Sequence, residues 1–213
     1  MRFTFPRVYP ILDGSIIPAA NRRDFLRHLG TSLTHAGATL LEYRNKSGSD
    51  AEIISDAEIL RAVLPSNQVK LILDDRADLI VRIAFDGVHV DAGDISPAEA
   101  RRLLGPDRIV GTYGGTESLL PAILNGPADY FSIGPIGPTT TKATTKQPIG
   151  PEGVRRLRAE AGPDPILVAA GGVTFANATA ILAAGASTLA VAAAIFRTPD
   201  PAAELRRWIE ALT

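Results

Sequence analysis

The chain has 213 residues, with 22 Lys+Arg against 23 Asp+Glu and a formal net charge of −1. That balance excludes an electrostatic footprint for nucleic acid or an anionic membrane surface. The absence of cysteine excludes disulfides, thiolate chemistry and Cys-based metal sites.

Short apolar runs alternate with amphipathic stretches along the whole chain. The runs are 8–12, 39–43, 69–73, 87–90, 109–112, 130–133, 166–169 and 188–191. Each is four or five residues long and several are rich in Val and Ile, which suits strands buried on both faces. Helical patterns lie between them. Residues 22–34 place Phe25, Leu26 and Leu29 on one face, and residues 50–64 do the same with Ile53, Ile54, Ala57, Leu60 and Leu64. Residues 97–104 open on Ser96-Pro97, a cap followed by proline at the first helical position. Residues 117–124, 151–161, 175–184 and 201–212 follow the same rule, and 75–83 is a shorter candidate. The alanine-rich stretch 174–196, broken by Asn177 and Gly185, reads as helix, turn and buried strand rather than a membrane span. The N-terminal segment, interrupted by Pro6, Arg7 and Pro10, has no secretory signal pattern, so a soluble cytoplasmic protein is the expectation.

Eight strand-plus-helix units with no change of composition imply a parallel sheet. They predict a single-domain (β/α)8 TIM barrel over residues 1–213, with an open doubly wound sheet as the alternative. In a barrel the site lies on the segments that follow the strands. Those segments carry Asp13-Gly14, Arg44-Asn45-Lys46, Asp74-Asp75-Arg76, Asp91 with Asp94, Tyr113–Thr116, Gly134–Lys142, Gly171-Gly172 and Ala192-Ala193. Two kinds of site are present. Gly171-Gly172 lets backbone N–H groups approach an oxyanion, and Arg44, Lys46 and Lys142 supply full charges for phosphate oxygens. Asp75 and Asp94 supply carboxylates for a hard cation, and Mg²⁺ bridging a diphosphate suits the set. Taken singly, each aspartate also reads as a helix cap, the glycine pair as a tight turn, and Arg44 with Lys46 as a solvated loop; they gain meaning by sharing one rim. The chain has only four lysines, Lys46, Lys70, Lys142 and Lys146, and three of them follow predicted strands. His89 reads as a packing residue, and His28 and His35 have no metal-ligand spacing.

In chain order, the motifs YPILD (9–13), GATLLEYRNK (37–46), LILDDRADLI (71–80), DGVHVDAGDI (86–95), ADYFSIGPIGPTTTK (128–142) and VAAGGVTFANA (168–178) resemble those of thiamine phosphate synthases. The resemblance implies a (β/α)8 barrel that joins an aminopyrimidine methyl diphosphate to a thiazole phosphate, releases pyrophosphate and needs Mg²⁺. By motif position it implies that Arg44, Lys46 and Lys142 bind the diphosphate and that Asp75 and Asp94 hold Mg²⁺. It also implies that Thr139, Thr141 and the Gly171-Gly172 pair meet the thiazole phosphate. Glu42, Asp74 and Tyr113 fall at substrate-binding positions where the family has Gln, Asn and Ser. Asp91-Ala92 replaces a Gly-Gln pair, Gly137 a Phe and Ala193 a Ser. Three of these changes add negative charge near the cleft, and Tyr113 adds volume where the pyrimidine belongs. The rival readings are a thiazole tautomerase-like isomerase, although residues 113–116 lack its histidine, and a non-catalytic binder of thiazole phosphate or another phosphate ligand. The sequence leaves the oligomeric state open, a homo-oligomer included.

Overall fold

A computed structural model describes residues 3–119, 121–139 and 144–213. Eight parallel strands close on themselves in sequence order: β1 (Val8–Asp13), β2 (Leu40–Arg44), β3 (Lys70–Asp74), β4 (Gly87–Val90), β5 (Ile109–Gly115), β6 (Tyr130–Ile133), β7 (Ile166–Ala170) and β8 (Thr188–Val191). The ring is completed where Val8 of β1 pairs with Leu189 of β8, which rules out the open sheet. The helices are α1 (Arg22–His35), α2 (Asp50–Val63), α3 (Pro97–Leu104), α4 (Pro121–Leu124), α5 (Gly150–Ala161), α6 (Phe175–Ala183), α7 (Ala193–Phe196) and α8 (Pro201–Leu212). No helix among the described residues is long and apolar enough to cross a membrane.

The alternation of side chains along each strand builds two cores. Tyr9, Leu40, Ile72, Ile109, Tyr130, Val168 and Ala190 fill the barrel interior, closed below by Phe3 and Phe5. Their neighbours, such as Leu41, Leu71, Val88, Val110 and Leu167, point outward beneath the helices. Because the strand period is two, residues two positions further on rise above the inner apolar layer. These residues are Glu42, Asp74, Ser132 and Ala170, and with His89 of β4 they line the cleft above that layer.

Several predicted boundaries move. β1, β2 and β3 run one residue further than the apolar runs, because Asp13, Arg44 and Asp74 still sit in the ladder, with Asp13 beside Arg44 and Asp74 beside His89. Tyr113–Gly115 belongs to β5, which changes register at that point, rather than to a loop. The predicted helix 117–124 is cut to α4, since proline lacks the N–H and disfavours helix at the residue before it. The candidate 75–83 holds only a 3-10 turn at Ile80–Arg82. Asp75 opens that segment in the left-handed region, with φ 66°, and so cannot start a right-handed helix. The four-residue α7 is too short to leave a periodic signature.

Candidate active site

One cleft of about 670 Å³ opens at the C-terminal ends of the strands. It gathers Glu42, Arg44, Lys46, Asp74, Asp94, Tyr113, Thr139, Gly171 and Gly172 from the sequence-derived set. Asp75 stands beside it, in close contact with Lys46 Nζ. Thr141 and Lys142 lie outside the described residues.

The cationic side is built on strand ends. The Arg44 guanidinium is held closely by Asp13 and sits 3.2 Å, through Nε, from Asp74 Oδ2. Lys46 Nζ is 3.8 Å from the same Asp74 oxygen. Burial pushes the Asp13 carboxyl up, but hydrogen bonds from Ser15 and the charge of Arg44 overcome this and hold it below the usual range. Asp74 is pushed up by burial, which outweighs the opposing pull of His89, Lys46 and Arg44.

The acidic side differs at its two aspartates. Asp75 N–H donates to the His89 carbonyl at 2.8 Å, which ties the β3 end to β4. Its Oδ1 is buried without a hydrogen-bond partner among the described residues. A buried carboxylate oxygen with no donor is costly unless something else meets it, so it suits a hard cation. Asp94 is exposed on the rim and accepts from Asp91 N–H at 2.8 Å, which turns the chain after β4; the cap of α3 is Ser96, not Asp94.

Opposite these groups, Gly171 and Gly172 are both left-handed, with φ of 77° and 71°. A Cβ at Gly172 would lie 2.3 Å from the Gly137 backbone, so only glycine fits where the β6 and β7 loops meet. The Gly171 carbonyl is occupied by Ile136 and Gly137 N–H groups, and the Gly172 carbonyl by Asn177 Nδ2. The pair is therefore fixed before any ligand arrives.

The comparisons with known proteins fall on this frame. The profile of the thiamine monophosphate synthase family matches residues 8–195. A thiamine-phosphate synthase of Koribacter versatilis is 38% identical over 194 residues, covering 91% of this chain and 90% of the relative. One of Methanospirillum hungatei is 36% identical, over 95% and 96% of the two chains. Among solved structures, a thiamine phosphate pyrophosphorylase from Pyrococcus furiosus superposes with a TM-score of 0.77 at 27% identity, over 97% and 96% of the chains. The chain belongs to the thiamine monophosphate synthase family. With that membership comes the class of the enzyme, a transferase of thiamine biosynthesis.

Within that family frame the cleft floor holds groups that sequence reasoning left unassigned. Tyr9 OH donates to Glu42 Oε2 at 3.3 Å. His89 Nδ1 meets Tyr130 OH at 3.1 Å and its Nε2 lies 3.4 Å from Ser132 Oγ. On the outer wall, Tyr113 OH donates to the Gly134 carbonyl at 2.9 Å, and Lys146 Nζ stands 4.0 Å over the Tyr113 ring. Lysine scarcity already marked Lys146; Tyr9 and Ser132 lie inside the motifs at 9–13 and 128–142, but the motifs gave neither a role.

Glu42 is 4% exposed. Burial pushes its carboxyl well above the ordinary value of 4.5, and nearby Asp74 adds to this despite the Tyr9 hydrogen bond. The folded state therefore binds the proton more tightly than the unfolded chain, so stability falls as pH climbs above 4.5 toward the raised folded value. Glu42→Gln removes that titration at nearly equal shape. The two proteins are expected to unfold alike near pH 5, with the glutamine variant more stable by about 1–3 kcal/mol near pH 8. Thermal melts across that range check this; a gap that does not grow with pH would mean Glu42 is comfortable as a carboxylate.

Proposed function

We propose that this chain couples an aminopyrimidine methyl diphosphate to a thiazole phosphate and releases pyrophosphate, with Mg²⁺ as its metal. The observation that carries the reading is the strand-end array of Arg44 and Lys46 against Asp74 and Asp75, with one Asp75 oxygen buried and without a partner among the described residues, beside a cleft whose far side is Gly171-Gly172. Asp75 and Asp94 would hold Mg²⁺, and the ion would supply positive charge to the diphosphate oxygens.

Arg44 and Lys46 bind the diphosphate and stabilise the negative charge that grows on it as the bond from the methylene carbon to oxygen breaks. The bonding pair leaves with pyrophosphate. The thiazole nitrogen then gives its lone pair to the pyrimidine methyl cation, forming the new C–N bond. Lys142 binds the same leaving group. Thr139, Thr141 and the Gly172 backbone hold the thiazole phosphate, which turns the second substrate's binding into orientation. Glu42, Asp74 and Tyr113 border the pyrimidine. No general base is needed, and the floor histidine His89 is engaged through Nδ1 with Tyr130 OH.

Pyrophosphate release from the purified protein tests the reading. Release that needs both substrates and Mg²⁺ and stops with EDTA is the expected result. Asp94→Asn should move the Mg²⁺ titration midpoint up by about tenfold or more. Turnover of a single thiazole substrate without metal would favour the isomerase, and tight thiazole phosphate binding without turnover would favour the binder.

A further inference from the structure

We propose that Asn45 is a positioning residue that sets the turn after β2, so that Arg44 and Lys46 on either side of it present their charges together. The inference rests on the diphosphate reading of those two side chains. Arg44 is anchored by two carboxylates, but Lys46 is a long flexible cation whose placement depends on its backbone. That backbone is fixed from behind. Asn45 is 9% exposed, and both polar atoms of its carboxamide are hydrogen-bonded. Its Nδ2 donates to Tyr43 OH at 3.0 Å and to Glu52 Oε1 at 2.9 Å, and its Oδ1 accepts from Gly48 N–H at 2.9 Å. Tyr43 OH in turn donates closely to Asp56, which is 1% exposed and takes Arg22 Nε at 2.8 Å. One carboxamide thus ties the turn to α2 directly and to α1 through Asp56 and Arg22.

The fit has no slack. A Cβ at Gly14 would lie 2.6 Å from Asn45 Cγ, and one at Gly48 would lie 2.4 Å from Asn45 Nδ2. Asn45, Tyr43 and Asp56 do not line the cleft, so the network touches no substrate and acts only through the turn. A satisfied buried polar network rigidifies what it joins, and what it joins here are the two residues that must meet one diphosphate.

The test uses Asn45→Ala and Gly48→Ala, the second of which keeps every polar atom but intrudes on the carboxamide. Both are expected to raise KM for the diphosphate substrate about 10- to 100-fold while leaving KM for the thiazole phosphate within about twofold. Calorimetric affinity for inorganic pyrophosphate with Mg²⁺ should fall by the same factor. Asp200→Ala, which removes the α8 cap bonded to Ala202 and Ala203 N–H, is the control for general loosening and should leave both KM values alone. Variants that melt earlier yet keep KM and pyrophosphate affinity would overturn the proposal, as would an Asp200→Ala enzyme with the same KM defect. Amide exchange in the wild type adds a reading that needs no variant: Gly48 N–H should be protected without ligand, and rapid exchange would refute the clamp. A wild-type protein that neither turns over nor binds pyrophosphate would instead sink the diphosphate reading itself.

Discussion

Lys46→Ala is expected to lower pyrophosphate release about 100- to 1,000-fold, the range seen when one preorganised donor to a developing negative charge is lost. It should lower the melting temperature less than the loss of Arg44 does. The Lys46 side chain is 43% exposed, so much of its charge is screened by solvent, although its partner Asp75 is only 9% exposed. On the proposed function its charge acts on the leaving group, inside a cleft whose walls exclude part of the solvent, so the same cation should matter more to the transition state than to the fold. Lys46→Arg should recover part of the loss and Lys46→Gln none, because the first keeps the charge. Lys142→Ala should show a loss of the same order, and the double variant should lose less than the product of the two. Kinetics and melts on the same samples decide it; a Lys46→Ala enzyme within about threefold of wild type would remove this residue from the diphosphate.

The same residues show how much was legible in advance. The barrel could be read because apolar runs buried on both faces leave a continuous signal, and the rim could be read because five of the eight runs are followed directly by a charged or glycine residue. Arg44, Lys46 and the glycine pair were found in this way. What the one-dimensional pattern could not carry was which charge faces which. Asp13 was noted only as the residue after the first strand, yet it grips Arg44 across the β1–β2 ladder. Asp75 and Asp94 looked equivalent as carboxylates, but the first is a left-handed residue at the end of β3 with a buried oxygen that has no partner among the described residues, and the second an exposed turn-former. Tyr9 and Tyr130 fall inside the apolar runs 8–12 and 130–133, and their rings are core; only the closed ring of strands brings their hydroxyls up to Glu42 and His89.

Arg44→Ala is expected to damage both fold and chemistry, in contrast to Lys46→Ala. The Arg44 side chain is 16% exposed and its guanidinium lies against two carboxylates. Removing it leaves Asp74, already pushed up by burial, without its nearest cation. Taking one partner from a buried pair costs about 3–5 kcal/mol because the other charge stays behind, which is roughly 10 °C in melting temperature for a chain of this size. The pH dependence has a definite sign. With Arg44 gone the folded value of Asp74 rises further above its ordinary 3.8, so the variant loses stability as pH climbs from that value. Its deficit against wild type should be smaller near pH 5 than near pH 8. Adding Asp74→Asn, the residue that thiamine phosphate synthases carry at this motif position, removes the stranded charge. The double variant should regain a large part of the lost stability and none of the turnover, since no cation has been returned to the leaving group. Recovery of both would mean that Arg44 only neutralises Asp74; recovery of neither would mean that Asp13, held by the same guanidinium, is the carboxylate that matters.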